Sequence, residues 1–159
     1  MARATPFCNV FYTLEFDAAI RGHHVYQSKW TPEVDMRLIC QLGKREEAND
    51  YDENAIGVYL RGEEGKESGL VGHLPIELSK LLKQFLDADK KNMLIVTVIG
   101  KRKREVGLVI PGRYTAMTVK REMIDILSNE LIKKKQKYHY LEFKYEKSVN
   151  DFKKKAVFI

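Results

Sequence analysis

Over much of its length the chain alternates apolar and polar positions. Residues 13–20, Thr-Leu-Glu-Phe-Asp-Ala-Ala-Ile, predict a half-buried first strand that ends at Arg21-Gly22-His23-His24. A mixed loop over 25–35 carries Trp30, the only tryptophan. Residues 36–42 predict a second strand, and the charged segment 43–48 leads out of it. Asn49, Asp50, Asp52 and Asn54 then surround Tyr51. Such side chains bond nearby backbone groups, so this is a turn delivering the chain into a strand over 55–60. The polar stretch 61–69 reads as an exposed hairpin connection before the short apolar run Leu70-Val71. Pro75 suits a first helical position, and Ile76, Leu78, Leu81, Leu82, Phe85 and Leu86 follow at helical spacing. After a turn at 87–92, the β-branched run 93–99 predicts a strand buried on both faces. Residues 106–110 and 114–119, separated by Pro111-Gly112, complete a hairpin or a bent strand. Five or six strands with one inserted helix imply a mainly β, α+β fold, a small barrel-like architecture.

Past residue 119 the period changes. Met123, Ile124, Ile126, Leu127, Leu131 and Ile132 form a helical stripe that ends in Lys133-Lys134-Lys135, where the helix dipole favours cations. Aromatic and basic residues interleave over 138–145, and the end is Lys-rich. This divides the chain into a leader (1–10), a barrel domain (11–119) and a basic, helical and aromatic extension (120–159). The extension either packs on the barrel or stands as a separate arm.

Charge sharpens the division. From Lys120 onward eleven Lys and Arg face six Asp and Glu, whereas the remainder carries seventeen against sixteen. A nearly neutral body with a basic tail suits an anionic partner, nucleic acid first and an anionic membrane surface second. With 44% apolar and 31% charged residues the chain is ordinary for a globular protein. No apolar run reaches the roughly 18 residues of a membrane span, and no basic region with a long apolar core opens the sequence. Cys8 and Cys40 are too few for a bridge framework or a zinc site and read as reduced thiols of an intracellular protein.

Three stretches, in order, carry a family resemblance: Ile20-Arg-Gly-His-His-Val25, Asn49-Asp-Tyr-Asp-Glu-Asn-Ala-Ile-Gly-Val58, and Val71-Gly-His-Leu-Pro75 before an amphipathic helix. Together, over roughly 10–119, they resemble the HIRAN domain, found at the N-termini of certain DNA translocases and in small stand-alone proteins. The resemblance implies a modified oligonucleotide-binding (OB-like) barrel that holds single-stranded DNA with preference for a free 3′-hydroxyl end. It also implies roles: Tyr51 stacks on the terminal base, Asp52 accepts from the terminal hydroxyl, and His73 lies along the backbone path. Lys29-Trp30 supplies a basic residue beside an aromatic. Two positions depart from the pattern, Ile76 where some members carry lysine and Leu108 where an aromatic is expected.

The residues argue in the same direction by themselves. Single strands are bound by stacking bases on aromatics while cations track phosphates, each stacked base contributing roughly 1–3 kcal/mol. Trp30, Tyr51 and Tyr26 lie on loops where a base could reach them; packing in the core or at its rim is the other reading. Asp52 either meets a hydroxyl that ends a strand, since a carboxylate repels phosphate, or serves as a turn residue. His73 is either a ligand or a structural histidine beside a helix start. His23 and His24, adjacent in sequence, would face opposite ways in a strand, which disfavours a shared metal. Lys101 and Arg102, with Lys103 and Arg104, either neutralise phosphates, making binding salt-dependent, or form a solvated turn; they also resemble a nuclear-import signal. Phosphate-loop, His-Glu-x-x-His, Cys-x-x-Cys and Gly-x-Ser-x-Gly motifs are absent. The expectation is a non-enzymatic binding module without cofactor or metal, partnered by single-stranded DNA of the kind met in repair or fork processing. RNA or a protein partner would engage through the basic tail. A protein-interaction adaptor that kept the barrel is the alternative, and a metal-dependent nuclease the third.

Overall fold

The computed structural model describes residues 10–22, 31–42, 55–61, 67–105, 107–137 and 146–151. Most of the leader, Cys8, His23, His24, Tyr26, Lys29, Trp30, Tyr51, Asp52, the hairpin connection 62–66 and the aromatic stretch 138–145 lie outside them. The strands are β1 (Val10–Ile20), β2 (Arg37–Leu42), β3 (Ile56–Arg61), β4 (Glu67–His73), β5 (Met93–Val98), β6 (Lys103–Glu105), β7 (Gly107–Thr118) and β8 (Glu146–Asp151). Two helices join them, α1 (Ile76–Ala88) and α2 (Arg121–Lys137). All strands share one antiparallel sheet in the order β4-β3-β2-β5-β7-β1-β8, with β6 paired to one end of β7. The fold is therefore mostly β with helices, as the alternation predicts.

One face of the sheet holds the core. Leu14, Phe16 and Ile20 of β1 meet Leu38 of β2, Ile56 and Val58 of β3, Val71 of β4, Leu94 and Val96 of β5, and Tyr114 of β7. Tyr114 stacks on Phe16 with ring centroids 5.3 Å apart, and its buried hydroxyl donates to the Ala19 carbonyl at 2.9 Å. Helix α1 adds Leu78, Leu82 and Phe85 to this core, and α2 adds Ile124, Leu127 and Leu131. The extension thus packs on the sheet at α2 and contributes a strand, β8, as well as a helix.

Three expectations are corrected. Strand β5 is not buried on both faces: Leu94, Val96 and Val98 are buried, while Met93, Ile95 and Thr97 are half-buried. Pro111-Gly112 does not interrupt β7, because it lies where β7 passes from β5 to β6. Gly112 pairs with Val98, Ile99 N–H donates to the Pro111 carbonyl at 3.0 Å, and from Val109 the partner is Lys103. A proline, lacking its N–H, is tolerated at such a gap in the ladder. A Cβ on Gly112 would come within 2.6 Å of Val96 Cγ2, so only glycine fits the crossing without a shift. Finally, Pro75 is the N-cap of α1 rather than its first helical residue; its extended ψ of 138° turns the chain from β4 into the helix.

The base of the molecule is tied by polar contacts. The buried Asn92 amide donates to Phe85 O at 2.7 Å and to Met123 Sδ at 3.2 Å, linking the end of α1 to α2. Nearby, Lys91 N–H binds Asp89 at 2.8 Å and, with Lys120 at 3.3 Å, holds that carboxyl below the usual carboxylate range.

Candidate functional site

The segment Val71-Gly72-His73-Leu74-Pro75 is first a piece of construction. Val71 and Leu74 enter the core and Pro75 is buried. Between them the backbone of β4 meets the end of β1: Arg21 N–H donates to His73 O at 2.8 Å, and His73 N–H to Arg21 O at 2.9 Å. Gly72 permits this approach. A Cβ there would lie 2.8 Å from both Arg21 O and Ile20 Cγ2. The sheet therefore curls until β4, the first strand of the order, touches β1 at a single bridge.

That bridge gathers strand ends. His73 pairs with Gly57 near the start of β3, Gly57 pairs with Gln41, and Leu42 at the end of β2 pairs with Ile56. Leu74 N–H also donates to Ile56 O at 3.2 Å. The ends of β1, β2 and β4 and the start of β3 thus form one rim. Residues 23–30 follow from the β1 end, and residues 43–54 join the β2 end to the β3 start. Those two segments carry Lys29 and Trp30, and Tyr51 and Asp52. These four side chains lie outside the described residues, but the leading stem of the first segment and both stems of the second lie at His73, while the trailing stem of the first runs to the start of β2 beside Val98.

The basic cluster reaches the same rim from the other side of β1. Ile20 pairs with Ile110, and the next residue of β7, Val109, pairs with Lys103. Lys103 is thus two strands from Arg21, about 10 Å of backbone at about 4.8 Å per strand. Lys101 and Arg102 are exposed in the connection just before it. Leu108 pairs with Arg104 in the backbone ladder of the β6–β7 hairpin. Ile76, first residue of α1, is 53% exposed beside the rim. His73 itself is half-buried.

The rim contains one residue that sequence reasoning did not single out as a ligand contact. Arg21 is half-buried and forms no ion pair among the described residues. Its signal was its place in the Ile20-Arg-Gly-His-His-Val25 motif. Only the register to His73 shows where that place leads.

Among the described residues no group of three or more His, Cys, Asp or Glu could hold a metal ion. The Cys40 thiol is buried, which pushes it far above its ordinary value and keeps it protonated. Among the described residues no helix is long and apolar enough to cross a membrane.

In comparison with known families, residues 16–115 match the HIRAN domain. That span runs from mid-β1 to late β7 and leaves out α2 and β8. No curated protein and no solved structure matches the chain.

Proposed function

Because the chain belongs to the HIRAN domain family, in general DNA-binding modules, we propose that it binds single-stranded DNA at a free 3′ end, without catalysis. The observation that carries this reading is that the segment holding Tyr51-Asp52 and the leading stem of the segment holding Lys29-Trp30 depart from strand ends gathered at His73. An aromatic pair and a carboxylate attached to one rim, with Lys101 and Arg102 approaching it, supply what a strand terminus requires. Tyr51 and Trp30 offer ring faces for bases, each worth roughly 1–3 kcal/mol. Asp52 accepts from the terminal 3′-hydroxyl, a place where a carboxylate does not oppose a phosphate. His73 and the basic cluster follow the phosphates behind it. The sheet, curled until its margins touch at Arg21 and His73, supports the OB-like barrel reading of this site. The service is that of DNA repair or fork processing, and the basic extension adds sequence-independent affinity or engages a protein partner.

The test is fluorescence anisotropy with short single strands ending in a 3′-hydroxyl or a 3′-phosphate, for the wild type and Asp52→Ala. Tighter binding of the hydroxyl end, lost in Asp52→Ala, is expected. Equal binding of both ends with a steep salt dependence would reduce the site to its basic surface. Absence of binding at low salt would favour an interaction adaptor, for which exposed Ile76 is the supporting feature. Magnesium-dependent cleavage of the strand would overturn the non-catalytic reading.

A further inference from the structure

We propose that Arg21 is a phosphate-contacting residue of this rim, paired with His73 to hold the backbone of the bound strand; this rests on the DNA-binding reading above. The pairing follows from the sheet. Residues that face each other across an antiparallel bridge project their side chains to the same side, with Cβ atoms about 5 Å apart. Arg21 and His73 exchange both backbone hydrogen bonds, at 2.8 and 2.9 Å, so guanidinium and imidazole leave the sheet side by side.

The row they occupy contains no acid. From β2 to the end of β1 it reads Gln41, Gly57, His73 and Arg21 through the pairings already given, and one step past the Ile20–Ile110 pair the register continues to Val109 and its partner Lys103. The neighbouring arginine of the same sheet shows the contrast. Arg113 faces Asp17 directly and grips it with two hydrogen bonds, 2.8 Å to Oδ1 and 3.1 Å to Oδ2. Arg113 is therefore satisfied by the fold, whereas Arg21 has no such carboxylate among the described residues. A half-buried guanidinium set beside a histidine, in a row ending in lysine, is complemented by an anion from outside. Guanidinium presents paired N–H donors that match phosphate oxygens. The row crosses five strand spacings, about 24 Å at about 4.8 Å each, which suits a polyanion running across strand ends better than one isolated phosphate.

Arg21 reads charge and not the strand terminus, and this separates its role from that of Asp52. The experiment measures anisotropy of a fluorescein-labelled oligothymidylate with a 3′-hydroxyl, as a function of salt, for wild type, Arg21→Gln and Arg21→Lys. A matching 3′-phosphate strand and thermal unfolding of each variant accompany it. Arg21→Gln is expected to bind about tenfold more weakly at low salt. The slope of log affinity against log salt should fall by about 0.7. Arg21→Lys should restore the slope, and the hydroxyl-to-phosphate preference should be the same in all three proteins. An unchanged slope in Arg21→Gln, or a loss that merely follows a lowered melting temperature and that lysine does not rescue, overturns the inference while leaving the DNA reading intact. If the wild type itself binds neither strand, both fall together.

Discussion

Strand β1 closes its outer edge, the one away from β7, in two different ways. Its first half pairs with β8 over six residues, Val10 with Asp151 through Glu15 with Glu146. Its far end meets β4 at one residue, Arg21 with His73. The long seal comes from a segment beyond the family match at 16–115; the short one lies wholly within it. An open strand edge invites pairing with other chains, and β8 covers the apolar first half of β1, leaving as the edge a strand with a single apolar residue. At the other end a full ladder would cover the rim with backbone. A single bridge instead holds the sheet curled and keeps the surrounding strand ends available for the segments they carry. Protection and presentation are divided between the two ends of one strand.

This division has graded consequences. The largest effect belongs to the element that anchors β8's side of the molecule. Leu131→Ala empties a fully buried position of α2 and should cost about 2–5 kcal/mol in chemical unfolding. A cost near zero would show that α2 is not part of the core. Next comes the bridge: Gly72→Ala forces a methyl to within 2.8 Å of Arg21 O and Ile20 Cγ2 and should cost about 1–3 kcal/mol, with loss of DNA binding exceeding the loss of folded protein. Wild-type stability and affinity in that variant would mean that the bridge is incidental.

Tyr114→Phe removes the hydroxyl that donates to Ala19 just before the bridge, and should cost about 1 kcal/mol. It should also change the alkaline limb. Burial, the largest influence, pushes the Tyr114 hydroxyl well above its ordinary value; the nearby Cys40 thiol adds to this only were it to ionise, and the Arg21 charge opposes it. The folded chain then holds this proton more tightly than the unfolded one. That stabilisation is complete below about pH 10 and is lost as pH rises from there through the folded value. Stability profiles of the two proteins should therefore converge above about pH 10; parallel profiles would contradict the burial argument. Truncation after Lys137 should alter stability least, leaving the fold intact but exposing the β1 edge. Light scattering should then show self-association absent from the full chain.

Much of this architecture is legible where side chains alternate. The core positions Leu14, Phe16, Ile20, Ile56 and Val58, the α1 stripe Leu78, Leu82 and Phe85, and the α2 stripe Ile124, Leu127 and Leu131 all follow from spacing. Strand β8, Glu-Lys-Ser-Val-Asn-Asp, is illegible because it carries a single apolar residue and is defined by backbone pairing to β1. Strand β6, Lys-Arg-Glu, is hidden for the same reason. Pro111-Gly112 punctuates the sequence like a turn, yet serves as a crossing because the ladder changes partner there. The site divides similarly. The Gly-His pair at 72–73 is visible as a motif, but its approach to Arg21 depends on contacts 52 positions apart in sequence, His73 against Arg21, which no local pattern encodes. Lys29, Trp30, Tyr51 and Asp52 remain assigned by sequence and by their stems.

The change of partner along β7 has a mechanical meaning. Residues 112–117 are clamped between β1 and β5, whereas 107–109 carry the β6 hairpin on the far side of the proline. Pro111 marks that change without loosening the strand: it pairs with Ala19, its carbonyl accepts from Ile99 N–H at 3.0 Å, and the adjoining Ile110 and Val109 are buried. The basic hairpin is thereby cantilevered from the hydrophobic core, its base fixed by buried Val109 and Ile110 while Lys103 stays in solvent.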